Sequence, residues 1–313
     1  MLLISARRGP NSFPEPEGPL KAMDIKIKRW THLGLGAALA TTTALTGCGE
    51  PTVKEPAPAE QPAADTAAPD AAAPSEAEVE AKMDAANAAA SSSGEGEGGV
   101  AIEAALTDPV VFNIALTVAE AHILAARDAY RDGEAQAAGE MFAHPVSEVL
   151  FDMEPIFEAR GVEDFTGLFT DASAAVFAGE SVEQISDRTD GIIAALRAAS
   201  EKAPDNGASD AAITTGVVAD MIDRATKMYR LATESEYYEP YLDGYGFYSA
   251  AKNQFEGSEA AIEAENADAA EAIRNALALL GEAYPSAKRP DPLDADISAL
   301  TVATSEVFLT LGE

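Results

Sequence analysis

Residues 125–134 read A-A-R-D-A-Y-R-D-G-E, and the fold turns on whether this stretch continues a helix or ends one. Upstream of it, from Asp108 onward, apolar residues recur at intervals of three and four, which predicts a helix over 109–131. Asp108-Pro109 suits its start, with a capping carboxylate followed by a proline whose missing N–H is no loss at the first helical position. Arg131-Asp132-Gly133 suits its end, because glycine accepts the left-handed backbone that closes a helix. A second helical pattern follows at once. The prediction is an antiparallel hairpin that turns at Gly133.

The same punctuation continues outward. Breaks at Gly161, at A-G-E-S (178–181) and at P-D-N-G-A-S-D (204–210) divide the chain. The predicted helices run to about 160, to about 179, and over about 182–202, 211–232, 240–263, 267–283 and 295–311. That makes four helices, a loop and four helices. The halves echo each other, since R-A-T-K-M-Y-R-L-A-T-E (224–234) stands where the first half has residues 125–134, and a proline- and aromatic-bearing helix follows each. Alternating β-branched runs are absent. The expected class is all-α, as two antiparallel four-helix bundles over 101–203 and 204–313.

Residues 1–100 differ in kind. Lys26, Lys28 and Arg29 precede an apolar, small-residue stretch over 33–45, too short to span a bilayer as a mature helix. Leu45-Thr46-Gly47-Cys48 has the pattern of a bacterial lipobox, with Cys48 as the lipid-bearing residue. Met23 is the expected start of this signal region (1–47). Cys48 is the only cysteine, which excludes an internal disulfide and a cysteine-ligated metal site. Residues 48–100, rich in Ala, Pro, Glu, Ser and Gly, cannot bury enough apolar area to offset chain entropy and are expected to form a disordered tether. Several acyl chains on Cys48 would hold the protein on a lipid membrane. Gly49, in place of a retention Asp, suggests the outer membrane and a body facing the periplasm.

The formal charge is −32. The first 47 residues hold six Lys/Arg and three Asp/Glu, so the remainder holds 15 basic and 50 acidic residues, a net charge of −35. That excludes nucleic acid as a partner. It permits attraction of cations, although solubility is the plainer reason for such a charge.

Downstream of the signal region the chain has two histidines, His122 and His144. They lie equally far from Gly133, so a hairpin turning there sets them at one height. By the helical period, His122 shares a face with Ala115, Val118, Ala126 and Ala129, while Met141, His144, Glu148 and Phe151 share another. Both faces are largely apolar and are expected to point inward. Glu120 faces elsewhere. Pro145 breaks or kinks its helix and frees the Met141 carbonyl. Two imidazoles and the Glu148 carboxylate at one level suit a metal ion. A core histidine with a single hydrogen bond and a buried His144–Glu148 ion pair are the alternatives.

A second candidate site, or with Tyr241 and Asp243 the other wall of the first, lies in E-S-E-Y-Y-E-P-Y-L-D-G-Y-G-F-Y (234–248), which holds five of the eight tyrosines. Glu239 and Asp243 stand at i, i+4, with Tyr241 and Tyr245 beside them. Phenolate and carboxylate oxygens suit ferric iron, while a tyrosine-rich packing seam is the alternative.

Tyr241-Leu242-Asp243-Gly244-Tyr245-Gly246-Phe247 resembles the E-Y-Q-D-x-Y-G-F stretch of extracytoplasmic helical domains in bacterial iron-permease systems, with Pro240 in place of the Glu. The 142–148 stretch is similar to the imelysin-like family, whose signature is Gly-x-His-x-x-Glu. Here the glycine is missing and one extra residue precedes Glu148. The resemblance implies an envelope helical-bundle lipoprotein that binds iron and supports its uptake with a protein partner. The competing class is a metal-free adaptor of an envelope complex. No catalytic set is expected. The two helix-borne histidines at i, i+4 of a zinc peptidase are missing, as are a nucleophile elbow and a phosphate loop.

Overall fold

The Asp108 carboxylate accepts the Val110 N–H at 2.8 Å, with Pro109 as the first helical residue, and α1 (Pro109–Arg131) begins there. A computed structural model describes residues 99–311. A short 3₁₀ turn, Ile102–Leu106, precedes α1. Gly133 reverses the chain at φ 92°, a backbone a side chain would strain. The chain returns as α2 (Ala135–Pro145). Pro145 has no N–H to offer the preceding turn, and the helix widens there instead of stopping. Val146–Leu150 is a π-helical turn, in which the Phe151 N–H reaches the Val146 carbonyl five residues back. α3 (Phe151–Arg160) continues the same rod to a left-handed Gly161.

α4 (Thr166–Ala178) ends at Gly179, and a capping box between Ser181 and Gln184 starts α5 (Val182–Ser200). Ser209 caps α6 (Asp210–Glu234), and α7 (Glu239–Glu265) comes after a short turn. Asn266 caps α8 (Ala267–Ala283), and Asp296 caps α9 (Ile297–Thr310). No strand occurs among the described residues, so they are all-α.

α1 packs against α2 and α5, and α2 against α4, while α6 packs against α7 and α9, and α8 against both of those. α1 also packs along α6 and α7, so one continuous hydrophobic core joins the halves. This central position explains why α1 is apolar on nearly every side. By length and composition it could cross a membrane, yet its neighbours bury most of it. α1 and α7 approach closely at Gly246, where an added Cβ would stand 2.5 Å from the Ala121 carbonyl oxygen. Tyr245 fixes the same crossing by donating its hydroxyl to Asp128 Oδ2 at 2.8 Å. Arg127 and Arg131 hold the other oxygen of that carboxylate, each at 2.8 Å.

The structure departs from the expected pattern in two places. The face predicted for Met141, His144, Glu148 and Phe151 is not a single stripe, because Phe151 is 69 % exposed. The π turn holds more residues per turn than an α-helix and swings the start of α3 outward. The folded body also begins before 101. Val100 is buried, and Arg224 donates to the Gly99 carbonyl at 2.8 Å. The lipobox, Cys48 and the tether as far as 98 lie outside the described residues.

Candidate metal centre

His122 is buried in the middle of α1. Its Nδ1 lies 2.8 Å from the Val118 carbonyl oxygen. A carbonyl can only accept, so Nδ1 carries the hydrogen and the neutral ring presents its lone pair at Nε2. Nε2 faces two carboxylates, with Glu148 Oε2 at 3.4 Å and Asp243 Oδ1 at 3.8 Å. His144 Nδ1 lies 3.6 Å from the other oxygen of Glu148. The two imidazole rings meet edge to face with centroids 6.0 Å apart. Phe247 closes one side with its ring edge-on to His122 at 5.8 Å, and Arg224 stacks above Phe247.

These separations are long for charge-assisted hydrogen bonds, which run at about 2.7–2.9 Å. They suit a shared ion. Ligand atoms held about 2.0–2.2 Å from a tetrahedral ion stand roughly 3.3–3.6 Å from one another. One donor atom from each of His122, His144 and Asp243 falls within 4.8 Å of the others. Asp243 Oδ1 is fully buried and has no hydrogen-bond partner among the described residues. A buried oxygen left without a partner costs about 1–3 kcal/mol, more when charged, so it is open to a proton, a water or a cation.

The charges are strongly coupled. Burial pushes the Asp243 carboxyl up to about 6, against the pull of His122 and His144. Burial disfavours the His122 imidazolium, but Glu148 and Asp243 outweigh it and hold that pKa above the ordinary 6.5. Burial likewise opposes the Glu148 charge, and His122 overcomes it, leaving that carboxyl below its ordinary value. The cluster favours a cation at its centre. A proton on His122 is the competitor that a metal ion must displace.

Three elements build this arrangement. The Gly133 hairpin sets His122 opposite His144. The π turn after Pro145 carries Glu148. The glycine-bearing crossing of α1 and α7 brings in Asp243, which the sequence offered with Tyr241 as a second site or as the other wall of this one. The Tyr241 and Tyr245 phenols go elsewhere. Tyr241 donates to the Ser286 carbonyl at 2.8 Å and Tyr245 to Asp128. Burial raises both pKa values, that of Tyr245 to about 12. Glu239 is exposed. With Glu140, His144 and Tyr238 it lines a cavity of about 200 Å³ beside the cluster. Glu120 faces away, buried near Arg197 of α5, and burial raises its pKa against the pull of that guanidinium. The signals for Asp243 were Gly244 and Gly246, whose missing side chains mark a close helix approach.

No protein-family model, curated protein or solved structure matches the chain. Fold and site define its class, an all-helical protein with a His–carboxylate cluster at the crossing of α1 and α7.

Proposed function

We propose that this protein is an envelope lipoprotein whose helical body binds a transition-metal ion, iron foremost, in support of its uptake. His122 Nε2, His144, Asp243 and Glu148 are the proposed ligands. The single observation that carries this reading is the orphaned Asp243 Oδ1, buried and directed at His122 Nε2. A donor set of two imidazoles and two carboxylates suits a borderline divalent ion such as Fe(II) or Zn(II) better than Ca²⁺ or Mg²⁺. The imelysin-like resemblance directs the choice to iron. The extra residue between His144 and Glu148 is compatible with it, because a π turn accommodates one residue more than an α turn.

We read the body as two four-helix bundles, α1–α5 and α6–α9, with the site on their shared seam. The lipobox at Cys48 supports a lipid anchor, with the acidic tether spacing the body from the membrane. The uptake partner is a protein of the same envelope.

A metal-free adaptor is the second reading. The raised His122 pKa favours it, since an imidazolium between two carboxylates is a closed structural cluster. Elemental analysis of residues 49–313, purified without chelators, separates the two. About one equivalent of iron or zinc, lost in the His122→Ala variant, supports the metal reading. No metal, and no calorimetric signal on adding iron, zinc or copper, leaves the adaptor.

A further inference from the structure

Phe151 is the most exposed phenylalanine among the described residues, and it stands on the rim of an apolar cleft. The π turn, α3 and the loop into α4 enclose a cavity of about 350 Å³. Leu150, Phe157 and Phe165 form its floor. Four carboxylates ring it, those of Glu154, Glu158, Glu163 and Asp164, and no Lys or Arg among the described residues lines it. Asp164 accepts the N–H and hydroxyl of Thr166, which lower its pKa and hold it ionised. An apolar floor, a protruding aromatic and a ring of like charge are the parts of a docking site for an oppositely charged segment.

Charge complementarity narrows the occupant. The chain's own tether, residues 49–98, carries two lysines against eleven carboxylates. A second copy of the body is repelled too, since residues 99–313 hold 13 basic and 39 acidic residues. Anionic lipid headgroups are excluded on the same ground.

We infer that this cleft docks a basic, apolar segment of a different protein, one that seats a large apolar side chain on Leu150, Phe157 and Phe165 against Phe151 and aligns Lys or Arg with the carboxylate ring. The metal reading is not required for it. The cleft and the metal cluster nonetheless share one structural element, because Leu150 lines the first and Glu148 the second from the same π turn.

The probe is a fluorescent peptide of alternating Leu and Lys, titrated by anisotropy into residues 49–313 at about 0.15 M ionic strength, where generic attraction between exposed charges is screened. Phe151→Ser removes an exposed side chain and is expected to keep the fold, as far-ultraviolet circular dichroism will verify. It should weaken binding by at least about tenfold, the value of one seated aromatic side chain. Glu154→Gln with Glu158→Gln should weaken it comparably. Glu256→Gln with Glu271→Gln removes the same charge from α7 and α8 and should change affinity by less than about twofold. Three results would each overturn the inference: no binding of the Leu–Lys peptide by the wild type, equal affinity in all variants, or equally tight binding of a Gly–Lys peptide. Displacement of the peptide by hexylammonium at equal affinity would make the cleft a small-molecule pocket and would also end the docking assignment.

Discussion

Replacing Asp243 by Asn should make the metal-free protein more stable and weaken its binding of a metal ion. Burial carries the Asp243 carboxyl from its ordinary 3.8 up to about 6, equivalent to about 3 kcal/mol at about 1.4 kcal/mol per pH unit. A carboxyl with a raised folded pKa binds more protons in the folded than in the unfolded chain. Stability therefore falls as pH rises from about 4 to about 6, and the penalty is complete above 6. The neutral amide of the Asp243→Asn variant carries no such penalty. The variant does remove one of two carboxylates that favour the His122 charge, which offsets part of the gain. That His122 contribution falls with pH in the same direction but in a higher window, present below 6.5 and lost as pH rises through the raised pKa. The expected net gain at pH 7 is about 1–2 kcal/mol. Urea unfolding in EDTA at pH 4, 5, 6 and 7, followed by circular dichroism, measures it. The wild-type decline from pH 4 to 6 should flatten in the variant. Iron affinity in the same variant should fall at least about 100-fold, since even outer partners of a ligand cost about 10–100-fold. A variant that is less stable at pH 7 and binds iron like the wild type would refute the reasoning and make Asp243 a structural partner of His122.

Gly246→Ala should force α1 and α7 apart at Ala121, costing about 1–3 kcal/mol and weakening metal affinity, as thermal unfolding and calorimetry would record. Tyr241→Phe should cost about 1 kcal/mol through the lost bond to Ser286 and leave metal affinity within about twofold, because the phenol is no ligand. Metal affinity should fall as pH drops from about 7 through 6, since His122, with its pKa raised above 6.5, and then Asp243 take up protons. An affinity constant across that window in calorimetry would remove both from the ligand set.

Local signals carried much of the fold into view. Asp108-Pro109, Gly133, Gly161 and Gly179 each act on their own neighbours, so their effects are visible in a few residues of sequence. The pairing of His122 with His144 was legible for the same reason, because a hairpin of known turn fixes which residues stand opposite. Pro145 announced a break, but not that the helix would widen into a π turn and direct Phe151 outward. That outcome depends on packing against α1 and α4. Asp243 was the harder case. It sits 121 positions after His122 in the chain, and no helical period relates residues that far apart. Its own helix offered it, with Tyr241, as a second site or as the other wall of the histidine site, and the crossing at Gly246 decides between them, sending the phenols to backbone and Asp128 and the carboxylate to the histidines.

The most direct measurement is anomalous diffraction from crystals of residues 49–313 grown with Fe(II). The metal reading predicts one strong peak on the α1–α7 seam, about 2.0–2.2 Å from His122 Nε2 and from an Asp243 oxygen, with His144 and Glu148 completing the shell. No peak there, or peaks only among surface carboxylates, would contradict it.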